Sequence, residues 1–169
     1  MKRLLWLFAV LFCATFVMAQ EAPKVSVFGG WAYHRTESDG TAQGWQFGLD
    51  IVPTKYFGIQ AQYSGTYEGD NGLDATTAFL TAGPEFVFSN EHFSTYIRGH
   101  LGWVHGSGDL YGWYLGDDSF VWGFGAAADY HFSKYFSWRL VNIDYLRVDD
   151  WDTNILRIGT GIVIHTARK

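Results

Sequence analysis

Trp45-Gln46-Phe47-Gly48-Leu49-Asp50-Ile51 sets a large apolar side chain at every odd position and a small or polar one at every even position. Successive side chains of a β-strand point to opposite faces, so this stretch reads as a strand with one apolar and one polar face. The same period returns along the chain. Phe57, Ile59, Ala61, Tyr63 and Tyr67 oppose Gly58, Gln60, Gln62, Ser64 and Thr66, and Phe120, Trp122, Phe124, Ala126 and Tyr130 oppose Val121, Gly123, Gly125, Ala127 and Asp129. Near the end, Leu156, Ile158, Ile162 and Ile164 oppose Arg157, Gly159, Gly161 and His165. The alternation predicts eight strands, over 24-34, 43-52, 56-67, 76-88, 93-105, 119-131, 135-147 and 153-165.

An internal repeat supports the register. Asp50-Ile-Val-Pro53-Thr-Lys55-Tyr-Phe57 recurs as Asp129-Tyr-His-Phe132-Ser-Lys134-Tyr-Phe136, with Phe88-Ser-Asn-Glu-His-Phe93 as a weaker copy between them. Short turns therefore recur on one side of the sheet. The opposite connections, 35-42, 68-75, 106-118 and 148-152, are longer and rich in Gly, Asp, Asn and Ser, which predicts long loops on that side and an even strand count. The strand 135-147 breaks the alternation: if Trp138 and Leu140 lie on the apolar face, strict period two puts Asn142 and Asp144 there too. A β-bulge near Val141 would return Ile143 and Tyr145 to the apolar face and bring Asn142 and Asp144 to the polar one.

The chain begins with Lys2 and Arg3, an apolar stretch from Leu4 to Val17, and Val-Met-Ala ending at Ala19. This reads as a cleaved export signal, because the apolar run is shorter than the roughly 20 residues a spanning helix needs and Gln20-Glu21-Ala22-Pro23 follows at once. Cys13 follows the bulky Phe12, where a lipid-attachment signal needs a small residue. Residues 20-169 then form one domain without cysteine. Charged residues are 17%, aromatics 19%, and there are 20 glycines and 3 prolines, against roughly 25% charge in an ordinary soluble domain. Beyond the leader no apolar run reaches helical spanning length, so a membrane location requires a closed barrel in which every backbone group pairs between strands.

Alternation alone does not say which face is outside. A soluble, lipocalin-like ligand-binding barrel also has about eight strands, and Gly29-Gly30-Trp31 imitates the Gly-x-Trp near that family's start. The polar face distinguishes them. A soluble barrel needs long charged side chains outside, whereas this face is mostly Gly, Ala, Ser, Thr and Gln, which suit a cramped interior. Trp31, Trp45, Trp103, Trp122 and Trp138 lie on the other face, and many Tyr and Trp fall near strand ends, as in the interfacial girdles of membrane barrels. The reading is an all-β, eight-stranded, antiparallel up-and-down transmembrane barrel.

Gly123-Phe-Gly-Ala-Ala-Ala-Asp129, Ser133-Lys-Tyr-Phe136, Arg139, Asp144-Tyr145-Leu146 and Gly159-x-Gly161-Ile-Val-Ile164 together resemble the OmpA-like, opacity-type outer membrane β-barrel domain. The resemblance spans nearly all of residues 20-169 and is strongest over the last three strands. It implies a bacterial outer membrane location, an envelope-integrity or adhesion role, contact with lipopolysaccharide and the barrel-assembly machinery, and no active site or cofactor. Such barrels usually end on an aromatic residue, whereas this sequence ends Ile164-His-Thr-Ala-Arg-Lys169.

The polar face collects Asp50, Glu85, Arg98, His100, Asp129, Arg139 and Arg157, with Asp144 if the bulge is present. In so narrow a barrel buried charges must pair to offset desolvation, so the expectation is a structural plug of salt bridges, with a proton or ion path as the alternative. His131-Phe132-Ser133 matches the His-x-Ser spacing of lipid A deacylases, but it falls in a short turn on the side away from lipopolysaccharide, and Lys134-Tyr135 replaces the Asn-Ala that follows the serine in those enzymes. No catalytic residue is assigned. The six histidines show no metal-ligand spacing and the Gly-rich segments no phosphate-binding frame. Eleven carboxylates, at 37, 39, 68, 70, 74, 109, 117, 118, 149, 150 and 152, fall in the long connections. That acidic rim disfavours nucleic acid; Asp117, Asp118, Asp149, Asp150 and Asp152 are candidates for weak Ca²⁺ or Mg²⁺ bridging to lipopolysaccharide phosphates. Tyr111, Trp113, Tyr114 and Trp151 in the same connections offer contact to an unidentified surface ligand.

Overall fold

A computed structural model describes residues 24-36, 41-70, 73-110, 113-150 and 152-166, with side chains apart from those at 67-75 and 108-117. The export segment 1-19 lies outside the described residues. Eight strands follow in chain order: β1 Lys24–Thr36, β2 Thr41–Val52, β3 Phe57–Asp70, β4 Leu73–Ser89, β5 Phe93–Leu110, β6 Trp113–His131, β7 Phe136–Val148 and β8 Thr153–His165. Each pairs antiparallel with its neighbours, and β8 closes on β1 through Ser26↔His165 to Thr36↔Ile155. Closure leaves no sheet edge along the shared wall, which is what lets a strand structure enter lipid.

The wall is inside out by the standard of a soluble domain. Phe124 and Trp103 are 63% and 64% exposed, while Arg139 is 1% and Arg157 0% exposed. That arrangement excludes the lipocalin-like alternative, in which charge faces water and apolar groups face the ligand. Aromatic rings mark both ends of the apolar band. At the short-turn end Phe93 packs on Tyr130 at 5.3 Å and Tyr56 on Phe88 at 6.5 Å, and the Lys55 and Lys134 ammoniums lie 5.0 and 4.8 Å from the centres of the Tyr56 and Tyr135 rings. Lysines placed so carry their charge out of the apolar layer while their stems stay in it.

The short turns fall at 53-56, 90-92 and 132-135, where the repeat predicts them. Thr54 Oγ1 accepts from Phe57 N at 3.0 Å, and Asn90 Oδ1 accepts from Phe93 N at 2.8 Å. The bulge is also present. Arg139 pairs with Gly161 and Asn142 with Gly159, so Leu140 and Val141 share the single partner position of Thr160. The extra residue inverts the parity: Leu140, Ile143 and Tyr145 are exposed, Asn142 and Asp144 buried.

The long loops expected at 68-75 and 106-118 are corrected by the structure. β3 and β4 stay paired out to Asp70↔Leu73, and β5 and β6 out to Leu110↔Trp113. Gly, Asp and Ser are poor strand formers in isolation, but a growing hairpin satisfies their backbone groups as well as water does. A spanning strand needs about 9–11 residues. β1, β2, β7 and β8, with 13, 12, 13 and 13 residues, are therefore just long enough, whereas β4, β5 and β6, with 17, 18 and 19, overshoot. The surplus forms a sheet that projects from one side of the barrel's far end.

Candidate functional site in the barrel lumen

Period-two alternation aims one side chain in two at the axis, and all eight strands meet there. Arg98 of β5 places Nε 3.2 Å from Glu85 Oε2 on β4, Nη1 2.9 Å from Asn142 Oδ1 on β7, and Nη2 3.4 Å from both oxygens of Asp50 on β2. Arg139 of β7 donates from Nε to Asp129 Oδ1 at 2.7 Å and from Nη2 to Asp129 Oδ2 at 3.1 Å and Asp50 Oδ2 at 3.0 Å. Its guanidinium lies 4.4 Å from the centre of the Phe28 ring on β1 and 5.2 Å from that of Tyr96 on β5. A second node is centred on Asp144. Arg157 Nε donates to Asp144 Oδ2 at 3.0 Å while Arg157 Nη1 reaches Ser64 Oγ on β3 at 2.8 Å.

His100 joins the nodes. Its Nδ1 is 3.0 Å from Gln60 Nε2, and its Nε2 is 2.9 Å from Asp144 Oδ1. An amide nitrogen can only donate, so with this amide orientation Nδ1 accepts and the ring proton sits on Nε2, aimed at the carboxylate. The structure thus brings together all eight sequence-predicted lumen residues: Asp50, Glu85, Arg98, His100, Asp129, Arg139, Asp144 and Arg157. The neutral members were not singled out from sequence. Gln62 Nε2 donates to Gln46 Oε1 at 2.9 Å and Gln46 Nε2 to Trp31 O at 3.1 Å; their inward parity was the available signal. Two glycines make the packing possible. A Cβ at Gly125 would strike the Asp144 carboxylate, and one at Gly58 would come 2.8 Å from Glu85 Oε1.

Polar character does not run the full length of the lumen. Toward the projecting end Phe79, Val104, Val121, Leu146, Val148 and Ile155 form a buried apolar cluster. His34, 3% exposed, packs its ring 5.4 Å from Phe79, and neither of its nitrogens has a hydrogen-bond partner among the described residues. Apolar and ionic layers together fill the axis.

In the structure His131 and Ser133 turn to different partners. His131 turns inward to Ser94 and Ser137, while Ser133 Oγ accepts from Tyr135 N at 3.4 Å in the turn. A serine nucleophile needs a base within hydrogen-bond reach. Of the rim residues, Asp118, Asp149 and Asp152 are engaged through their carboxylates and Asp150 through its backbone N–H. Asp118 faces His105 Nδ1 at 2.6 Å, Asp149 accepts from Trp122 Nε1 at 2.9 Å, Asp152 pairs with Arg147, and Asp150 N donates to Ser119 Oγ at 3.1 Å. The Asp117 side chain and the side chains of Tyr111, Trp113, Tyr114 and Trp151 lie outside those described. Among the described residues no three potential ligands are grouped for a metal.

The closed, inside-out wall of eight antiparallel strands is shared with solved structures. The fold is that of the small outer membrane β-barrels. The attachment invasion locus protein Ail of Yersinia pestis superimposes with TM-score 0.64 at 19% identity, covering 86% of this chain and all of that one (100%). Neisserial surface protein A gives 0.66 at 14% identity over 85% and 99% of the two chains. The N-terminal β-barrel domain of Pseudomonas aeruginosa OprF gives 0.61 at 12% over 85% and 97%. No protein-family model and no curated protein sequence matches the chain.

Proposed function

We propose that this is a non-enzymatic bacterial outer membrane barrel of the OmpA-like, opacity type, exported through a signal cleaved after Ala19, with its lumen closed to bulk transport and its projecting sheet serving surface attachment. One observation carries the attachment reading. Among the described residues, β6 pairs only with β5 over Trp113–Ser119, because β7 begins to pair at Val121. A strand flank with unpaired N–H and C=O groups is a template for a partner's extended segment, and a barrel otherwise removes such flanks. A purely structural barrel needs only strands long enough to span the lipid, so the additional sheet has to be accounted for by something outside the membrane.

The test is a variant in which residues 106-117 are replaced by a two-residue Asn-Gly turn. Cells carrying it are compared with wild type for adherence to epithelial monolayers and for envelope permeability. Adherence is expected to fall while the permeability barrier and heat-resistant folded band stay unchanged. Full adherence by the shortened barrel would leave only the envelope-integrity role. Recovery of the wild-type protein in a soluble periplasmic fraction without detergent would overturn the membrane assignment itself. Lipopolysaccharide and the assembly machinery are the partners such a location requires.

A further inference from the structure

We propose that the open flank of β6 takes, as an added strand, a positively charged extended segment of another protein. The inference rests on the attachment reading above and names the chemistry of its partner. Asp149 N, just beyond the end of β7, donates to Phe120 O at 3.1 Å, so the Phe120 carbonyl marks the side of β6 that faces β7. Backbone groups of successive strand residues point alternately to the two sides. The N–H and C=O of Tyr114, Gly116 and Asp118 therefore point the same way as those of Phe120, toward a side on which no strand pairs with them among the described residues. The groups of the residues between them turn to β5, which pairs from Val104↔Ser119 to Leu110↔Trp113.

The flank is closed at its base and open above it. Asp150 N donates to Ser119 Oγ at 3.1 Å, so the turn after β7 reaches the level of Ser119. The opposite margin of the projecting sheet offers much less. β2 stays paired with β3 as far as Gln43↔Tyr67, which leaves only Glu68 to Asp70 beyond it, whereas a common strand needs about 5–6 residues. Sheet edges are ordinarily guarded by lysine or proline, and Trp113-Tyr-Leu-Gly-Asp-Asp-Ser119 contains neither.

Charge selects the occupant of this edge. Neither Lys nor Arg occurs from Tyr67 to Leu80 or from Trp103 to Ser119, the stretches that include the projecting sheet, and the same stretches hold Glu68, Asp70, Asp74, Asp109, Asp117 and Asp118. Positions 117 and 118 are consecutive in a strand and so fall on opposite faces; a segment laid along the flank meets an acidic position on either face. Opposite charges across a strand pair stabilise it and like charges oppose it. A second copy of this chain is a poor fit on both counts. Copies in one membrane direct β6 the same way and could pair only in parallel, the weaker ladder, and a copy in a facing membrane would set the same six acids against one another. Polyanions are repelled for the same reason.

The mature barrel, ¹⁵N-labelled and folded in zwitterionic phosphatidylcholine nanodiscs, is titrated with blocked peptides of about nine residues that alternate threonine with lysine, glutamine or glutamate, a length matched to a common strand. Amide exchange at Tyr114, Gly116 and Asp118 is followed. The lysine peptide is expected to protect all three amides saturably, with affinity at least about tenfold above the glutamine peptide, and the glutamate peptide to give no protection. Asp117→Asn/Asp118→Asn is expected to weaken the lysine peptide about fivefold, the scale of two cross-strand ion pairs. Gly116→Pro removes an N–H from the open side alone, where an edge strand tolerates proline, and is expected to abolish binding; both variants lie beyond the spanning wall, and the heat-resistant folded band checks their fold. Equal protection by the three peptides, or by the lysine peptide with and without the two carboxylates, overturns the cationic partner and leaves the attachment reading on a charge-blind edge. Protection by none of them removes the edge reading together with the partner. Lysine-peptide binding that survives Gly116→Pro is surface ion pairing only and overturns strand addition.

Discussion

Replacing Arg139 by Met tests whether the lumen is a dry ionic plug or a hydrated pore. Asp129 is 0% exposed, and both of its oxygens are bonded to Arg139, at 2.7 and 3.1 Å. Asp50, 2% exposed, loses its shortest partner, the 3.0 Å bond from Arg139 Nη2, and keeps Arg98 at 3.4 Å. Removing one member of a buried pair strands the other, at a cost of about 3–5 kcal/mol. Replacing both members by apolar residues of similar size removes the stranded charge, so Arg139→Met/Asp129→Leu is expected to recover at least half of that loss. The non-additivity, the sum of the two single losses minus the loss of the double variant, should then be at least about 2 kcal/mol, as expected for residues in one network. The assay is equilibrium urea unfolding in phospholipid vesicles, followed by tryptophan emission and by the electrophoretic shift between folded and unfolded forms. A single variant that loses less than about 1 kcal/mol, the scale of a solvent-screened pair, would show that water reaches Asp129 and that the plug is open. A double variant whose loss is the sum of the two singles would refute the pairing argument even if the lumen were dry.

Deleting Leu140 removes the bulge and drives Asn142 and Asp144 to the lipid face or Arg139 out of the lumen; the expected outcome is no heat-resistant folded band, and a normally folding deletion would refute the register assigned here. Planar bilayers with the purified barrel are expected to show conductance near zero, and large, stable single-channel currents would contradict a filled axis. Ser133→Ala in an overproducing strain is expected to leave the lipid A profile unchanged, and loss of a deacylated species would reinstate the His-x-Ser reading. Calorimetry with Ca²⁺ in lipopolysaccharide vesicles is expected to show weak binding, on the order of millimolar, that diminishes when Asn replaces Asp at 117, 118, 149, 150 and 152; identical isotherms would leave a solvated rim only.

Strand identity and facing were set locally and so were legible in the sequence. Trp45 to Ile51 alternates because each strand residue meets only its own side of the wall, and the repeated turn at Pro53 and Phe132 punctuates the strands regardless of their partners. Even the bulge was readable, since Asn142 and Asp144 on a lipid face would violate a strong energetic rule. Tertiary structure decided what depends on distance between strands. Arg139 meets Asp50, 89 residues earlier, only because the sheet closes into a tube with one particular stagger. His131 looks toward Ser133 in sequence but bonds Ser94 and Ser137, because inward parity rather than proximity along the chain sets a strand side chain's company. The acidic connections at 68-75 and 106-118 read as loops because their composition disfavours isolated strands, yet neighbouring strands held by the barrel extend the ladder through them. Local alternation thus specified a wall, and closure of that wall specified the contents of its lumen, since only closure brings residues from all eight strands within hydrogen-bond reach.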